Sequence, residues 1–460
     1  MKKKHAGVMD MTSGNPYKLI LIFSLPLLVG NIFQQLYNMV DSIVVGNLVG
    51  EKALAAVSTG FPIIFGLSSL FMGIGMGATV MISQFYGAKD LESIRHTVNT
   101  MYTALIVASI PLTIVGVLLS DPLLRLMQVP DDGTLEMART YMIVIFIGII
   151  GNLGFNLNAG ILQGFGDSRT SLLFLLIATI INIALDLLFT AAMGMGVFGV
   201  ALATIIAQLA SWSFGIWYLK RHYVFLEIRL LKFRFKKEFF FKAMKLGIPS
   251  GLQQMLFSIG IMTMQALVNG YGSLFMAGFS GANKIDSFAF MPIQSFATAM
   301  TTYTGQNVGA SRMDRVKQGT RAGLVLAIVC SLVLGFGIYP FGGFLMRMFN
   351  QNPEVIAAGE VYLRSVLPFY ALLGIQFIYT AVLRGAGEMI IPMVSSFVSL
   401  WIARIPVAYI LAATLGRDSI YFSYAAGWLL GVIIAFVSYK RGKWKTKAVI
   451  VRPQNAENPA

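Results

Sequence analysis

Gln34-Gln35-Leu36-Tyr37-Asn38-Met39-Val40-Asp41-Ser42 lies inside an otherwise apolar segment that runs from about Leu19 to Gly46. At 1.5 Å per residue a helix of that length crosses the hydrocarbon core of a bilayer. It carries one carboxylate, Asp41, with no charged neighbour within a helical turn. An ionised carboxylate at membrane depth costs roughly 2.5–3.5 kcal/mol on insertion scales, so such a residue faces a bundle interior or a wet cavity. Asp41 is therefore a functional candidate. Pro26, in the same helix, lacks a backbone N–H and crowds the preceding turn, which predicts a bend or hinge. A hinge and a buried acid on one helix predict motion coupled to protonation or cation binding. The alternative is a structural hydrogen-bond acceptor and a static kink.

Composition agrees with a membrane protein. Of 460 residues, 56% are hydrophobic and only 12% charged, with a mean hydropathy of +0.73. Ordinary globular chains are about 45–50% apolar. The formal charge of +15 comes from basic residues placed between apolar spans, where they act as orientation signals and not as a nucleic-acid surface. A single cysteine, Cys330, excludes a disulfide framework and a cysteine metal site. The first apolar run is too long for a signal-peptide core, so it reads as a retained first span.

Spans are predicted at about 18–46, 54–82, 93–119, 136–162, 168–192 and 195–219, and at 243–270, 275–304, 318–341, 358–383, 390–415 and 418–438. The expected fold is thus an all-α polytopic membrane protein with twelve transmembrane helices as two pseudo-symmetric six-helix bundles. The expected domains are an N-terminal lobe at 1–219, a basic linker at 220–242, a C-terminal lobe at 243–439 and a basic tail at 440–460. If the N-terminus is cytoplasmic, the inner side collects Lys2, Lys3, Lys4, Lys89, Arg95, Arg169, the linker, Arg312–Arg321, Arg384 and the tail from Lys440 to Arg452. The outer side keeps Lys52, Arg125, Arg139, Arg347, Arg364 and Arg417. This bias predicts a multi-pass cell-membrane protein with both termini cytoplasmic. In the linker, Arg229, Lys232, Arg234, Lys236 and Lys237 interleave with Phe233, Phe235, Phe239, Phe240 and Phe241, as in an interfacial segment drawn to anionic lipid.

An internal repeat organises the two halves. Gln84-Phe85-Tyr86-Gly87-Ala88 and Gln306-Asn307-Val308-Gly309-Ala310 match at an offset of 222 (306 − 84). Leu162-Gln163-Gly164-Phe165-Gly166-Asp167 and Leu383-Arg384-Gly385-Ala386-Gly387-Glu388 match at 221 (383 − 162), and Pro26 and Pro249 at 223 (249 − 26). Six spans per half make this a parallel repeat about an axis normal to the membrane, with substrate expected between the halves near the midplane. The matched glycines are expected to permit tight turns, and Asp167 or Glu388 with Arg169 or Arg384 to anchor them.

In these features the chain resembles the multidrug and toxic compound extrusion (MATE) family of efflux transporters, over essentially its whole length. The resemblance implies that an acid on the first helix works with an Asn-x-x-x-Asp pair on the fifth and a threonine on the sixth. These positions are Asp41, Asn182, Asp186 and Thr204 here. Independently, Asn182 and Asp186 at i and i+4 share one helix face. Two carboxylates, an amide oxygen and a hydroxyl are hard oxygen ligands for a shared proton or Na+. Asn156 on the fourth span is a further candidate for this network, with helix-to-helix hydrogen bonding as the alternative.

The second half departs from some family members, which carry acids on the seventh and tenth helices; Gly251–Leu267 and Leu367–Leu383 contain none. The coupling site is therefore expected in the N-terminal half. A rival set, Lys284, Asp286 and Arg404, is either a structural ion network or part of the cavity. Gln34, Tyr37, Gln253 and Met291 are the other cavity candidates, and Pro249 is the second hinge candidate. His5, His96 and His222 fall in the terminus or loops, Asp131-Asp132 has no second acidic pair, and no hydrolase, metalloprotease or phosphate-loop motif occurs. The chain is expected to be no enzyme and to need no cofactor. It is expected to work as a monomeric H+- or Na+-coupled exporter of organic cationic or amphipathic drugs, embedded in membrane lipid and without a nucleic-acid partner. The alternatives are a lipid-linked oligosaccharide flippase or polysaccharide exporter of related architecture, and a membrane-embedded enzyme.

Overall fold

The computed structural model describes residues 8–230 and 234–450, which leaves Lys2–Lys4, His5, Lys232, Phe233 and Arg452 outside the described residues. Among the described residues the chain is all-helical, with no strand. Twelve long helical segments follow one another: α1 (Pro16–Val49), α2 (Glu51–Gly87), α3 (Leu91–Leu126), α4 (Thr134–Ile147 and Ile149–Phe165), α5 (Ser168–Ala192) and α6 (Gly196–His222) form the first six. The second six are α7 (Lys237–Asn269), α8 (Ser273–Gly309), α9 (Met313–Arg347), α10 (Pro353–Gly385), α11 (Ile390–Leu415) and α12 (Arg417–Arg441). Ten are long and apolar enough to cross a membrane as they stand. The two halves of α4 meet at 54° and qualify together, while α8 has 37 residues but carries Lys284 and Asp286. The expected two six-helix bundles are thus present.

Local sequence explains the helix boundaries. Asn15 caps α1 by accepting the Tyr17 N–H, with Pro16 in the first turn where its missing donor is harmless. Asp90 and Asp167 accept from Ser93 N–H (2.9 Å) and Thr170 N–H (3.0 Å) to start α3 and α5, and Glu388 accepts from Ile390 N–H (3.0 Å) before α11. The two loop acids therefore anchor their turns by capping. The segment between α6 and α7 is docked on α3: Asn99 donates to the Leu226 carbonyl (2.7 Å), and Arg95 (3.0 Å) and Arg234 (2.9 Å) pair with Glu227. Leu226, Ile228 and Phe239 are buried in the N-terminal lobe, while Arg229, Phe235 and Phe241 are exposed.

The first helix of each half straddles both lobes. Before Pro26, Ile20 and Phe23 of α1 pack in the core of the C-terminal lobe with Met300 and Tyr303. After it, Gly30 lies against Leu172 and Leu175 of α5, in the helix's own lobe. In α7, Ala243 and Leu246 precede Pro249 and pack in the N-terminal core, whereas Gly260 and Met264 follow it and pack on Leu400 of α11. Both prolines lie within unbroken helix, and contact with the other lobe persists for about a turn beyond each: Asn31 donates to Ser295 Oγ (3.1 Å), and Gly251 still lies against α2.

Close approach between the lobes depends on glycine. A Cβ on Gly73 of α2 would fall 2.3 Å from the Gly251 nitrogen of α7. At the end of the bundle that holds both described chain ends, a Cβ on Gly87 would fall 1.9 Å from the Gln306 carbonyl oxygen, and one on Gly309 would fall 1.9 Å from that of Gln84. These two glycines therefore serve helix contact and not the turn; the turns use Lys89 (φ 61°) and Ser311 (φ 57°). Gly166 (φ 86°) and Gly387 (φ 95°), by contrast, do adopt the left-handed backbone expected of the second repeat. The repeated glutamines clamp the seam. Gln84 donates to the Gly385 carbonyl (2.9 Å) and accepts from Val449 N–H (2.7 Å). Gln306 donates to the Gly164 carbonyl (3.4 Å) and accepts from Met11 N–H (2.9 Å).

Candidate functional site

In the N-terminal lobe, α1, α5 and α6 bring Asp41, Asn182, Asp186 and Thr204 together. The Asp41 and Asp186 carboxyl groups lie close enough to influence each other electrostatically, and Tyr37 lies beside Thr204 at the same cavity wall. Asn182 Nδ2 donates to Thr204 Oγ1 (3.4 Å), which itself donates to the Val200 carbonyl (3.0 Å). Asn182 and Asp186 are each only 1% exposed. One oxygen of each of Asp41, Asn182 and Asp186 is buried with no hydrogen-bond donor. Three unsatisfied acceptors at one place are an expensive arrangement unless something positive visits them. The helices carrying both acids also widen just beyond them: residues Val45–Val49 follow Asp41 and Leu187–Ala192 follow Asp186, each with π-helical hydrogen bonding. Such bulges concentrate at functional positions. No group of three or more His, Cys, Asp or Glu side chains that could hold a metal occurs among the described residues.

A cavity of about 340 Å³ opens onto this group, lined by Gln34, Tyr37, Asn156, Asn182 and Thr204 with Phe61 and Phe65. Asn156 is at the cavity wall but donates to the Asn152 carbonyl (2.8 Å) and does not join the Asp41 group.

A second cavity, about 260 Å³, is walled mostly by the C-terminal lobe and closed on the other side by α2 and Gln163 of α4. It contains Gln253, which donates to Ser396 Oγ (2.6 Å), and Arg404, whose guanidinium sits 3.3 Å from the centre of the Tyr424 ring. Arg404 also ends a π-helical stretch, Val398–Arg404. The remaining candidates of this half separate. Asp286 accepts from the Tyr370 hydroxyl, in a cluster with Tyr362 and Tyr424. Lys284 is exposed and lies 5.8 Å from the Phe349 ring, and Met291 is buried without lining either cavity. Lys284 and Asp286 thus point apart.

A third space of about 580 Å³ lies between α3, α4 and the start of α7, and is mostly apolar. Met72 of α2 borders all three cavities. Sequence reasoning missed Met72, because a methionine in an apolar span carries no local mark. It also placed Arg384 in a turn, whereas the side chain lines the C-terminal cavity. The sequence carries no signal of this: Glu388, four residues on, reads as the partner of Arg384, and in the structure it caps α11 instead.

The MatE family model matches residues 26–188 and 249–410, one match in each lobe. The chain is 33% identical over 440 residues to the probable multidrug resistance protein YpnP of Bacillus subtilis (strain 168), covering 95% of this chain and 97% of that one. It is 30% identical over 444 residues to the probable multidrug resistance protein YoeA of the same organism, covering 94% and 95%. Among solved structures, one described as the outward-facing conformation of a multidrug resistance MATE family transporter of the MOP superfamily superposes with a TM-score of 0.88, at 26% identity, over 97% of this chain and 99% of that one. With the repeat in both lobes and the family match in each, this chain belongs to the MATE family of multidrug efflux transporters.

Proposed function

We propose that the chain is an antiporter that exports organic cationic or amphipathic compounds across the cell membrane as a monomer, driven by H+ or Na+ entering at Asp41, Asn182, Asp186 and Thr204. The observation that carries this reading is the set of three buried acceptor oxygens without donors, contributed by two different helices. Asp41 lies on the part of α1 beyond Pro26, and Asp186 on α5. An empty site sets two carboxylates against each other across the α1–α5 contact. A cation shields that repulsion and binds best where both carboxylates are presented together, so it favours the arrangement in which α1 lies on α5. Release of the cation removes the preference, and the upper part of α1 is then free to swing about Pro26. Pro249 provides the matching pivot for α7.

In this reading the lobes at 1–219 and 243–439 move as two bodies, and the clamped end of the bundle faces the cytoplasm with the linker and both termini. A reporter fused near Lys236 is expected on the inside and one near Asp131 on the outside; the same side for both would end the twelve-span topology.

The functional test uses proteoliposomes loaded with the cationic dye rhodamine 123. An imposed H+ or Na+ gradient is expected to accelerate dye movement through the unmodified protein and not through Asp41→Asn. If neither gradient changes the rate, the coupling reading fails.

A further inference from the structure

The N-terminal lobe has buried acceptors without donors; the C-terminal cavity has buried guanidinium donors without acceptors. Arg384 Nε, Arg404 Nε and the Thr302 hydroxyl are all buried without a hydrogen-bond partner, and all three residues line the same 260 Å³ space. No carboxylate lines it. Among the described residues, neither arginine forms an ion pair with a carboxylate. Arg404 rests on the Tyr424 ring and feels the charge of Asp286, which is itself engaged by the Tyr370 hydroxyl, and Glu388, in the loop after Arg384, is bound to the start of α11 and to Lys447 (3.9 Å). A guanidinium taken from water and left short of an acceptor is disfavoured until an anion supplies one. Arg384 ends α10 near the clamped end of the bundle and Arg404 lies on α11 beside Trp428, so the two charges stand at different levels of the cavity. Between them the wall is amide and aromatic, with Gln254, Gln294, Phe290 and Phe377.

We infer that the C-terminal lobe holds an organic-anion subsite, in which Arg384 and Arg404, at their two levels, pair with separate oxyanion groups (carboxylate, phenolate or phosphate) of an amphipathic molecule whose aromatic body lies along Phe290, Phe377 and Trp428. Guanidinium groups suit such oxyanions because their N–H donors match the planar or tetrahedral oxygen pairs in fixed geometry. The subsite rests on the reading of the chain as a transporter, since its ligand is cargo. It is separate from the coupling-ion site on α1 and α5, so cargo anion and coupling ion do not compete for the same side chains.

Fluorescein and rhodamine 123 share a xanthene scaffold and differ in the sign of their charge, which makes them the probes. Binding to the full chain in nanodiscs of neutral lipid is followed by fluorescence anisotropy. Arg384→Gln and Arg404→Gln are each expected to weaken fluorescein by about tenfold or more, the size of one lost charge-assisted hydrogen bond. Rhodamine 123 affinity should stay unchanged and thereby report that the variants are folded. Arg384→Lys, which keeps the charge and loses the fork, should fall between the native protein and Arg384→Gln. Fluorescein affinity indifferent to both glutamine variants overturns the subsite. So does Arg-dependent loss of fluorescein binding when phosphatidylglycerol is added to the nanodiscs, because the occupant is then a lipid phosphate. The two readings fail separately. If no gradient moves either dye but fluorescein binding still needs the arginines, the coupling proposal falls and the subsite stands; if rhodamine 123 transport is coupled and fluorescein ignores the arginines, the subsite falls and coupling stands.

Discussion

The contact between the first and fifth helices occurs once in each lobe, with opposite chemistry. In the N-terminal lobe, α1 meets α5 through Asp41 and Asp186. The repeat offset of the two prolines carries Asp41 onto Met264 (41 + 223 = 264), and there α7 meets α11 through a dry cluster of Met264, Leu400, Ile405 and Ala408. Arg404 on α11 maps to position 183 (404 − 221), within one helical turn of Asp186. One backbone plan therefore supports a titratable contact in one lobe and a packed contact with a basic neighbour in the other. The lesson is that duplicated folds fix where helices cross, whereas the side chains at the crossing decide whether it responds to ions.

Four measurements break or sharpen this comparison. The largest effect is expected from Asp41→Asn and Asp186→Asn, each of which keeps side-chain size and removes a charge. Gradient-driven transport should fall on the order of a hundredfold in either, the upper range of a coupling free energy, while dye binding persists. Normal coupling in both would move the ion site elsewhere.

The opposite expectation holds for the mate of Asp41. Met264→Ala leaves a hole in a packed cluster and should lower stability by about 2 kcal/mol, read as a lower melting temperature in detergent, with the transport rate still set by the gradient. If its main effect were on coupling, the two contacts would not differ as described.

Pro26→Ala comes next. The protein should insert and fold, since a straighter helix satisfies its own backbone, but exchange between access states should slow by roughly fivefold, equivalent to about 1 kcal/mol of barrier. Pro249→Ala should slow it less, because no pair of carboxylates sits at the α7–α11 contact. Equal slowing would make the two pivots equivalent. The smallest effect belongs to Asp286→Asn, since an amide oxygen still accepts from Tyr370; gradient-driven transport should be near normal, and its elimination would place the coupling site in the C-terminal lobe.

Much of this architecture was legible in the sequence because membrane spans leave a long, simple signal. Span length, basic loops and a repeat offset of 221–223 define twelve helices in two lobes without any knowledge of packing. The Asn182 and Asp186 pair was drawn from the resemblance to the family, and its i and i+4 spacing adds only that the two share a helix face. What was hidden depends on distant partners. Gly87 and Gly309 read as turn formers, and only the crossing of α2 and α8 shows that they make room for a carbonyl. Arg384 read as a loop anchor because the sequence does not say that Glu388 is already spent on capping. The π-helical stretches after Asp41 and Asp186 have no sequence mark at all, as they arise from an extra residue accommodated in a helix that neighbours hold in place.

The glutamine clamp has a consequence for biogenesis. Gln306 finds its partner, the Met11 N–H, already synthesised and 295 residues behind it. Gln84 must wait: its acceptor oxygen is completed by Val449, which leaves the ribosome 365 residues later. Until then the Gln84 half of the seam lacks its strap, which costs about 1–3 kcal/mol for a buried polar group left without its bond. The two straps are equivalent in the finished fold, yet Met11 precedes its glutamine and Val449 follows its own, so a growing chain cannot close both straps before the second lobe has been made.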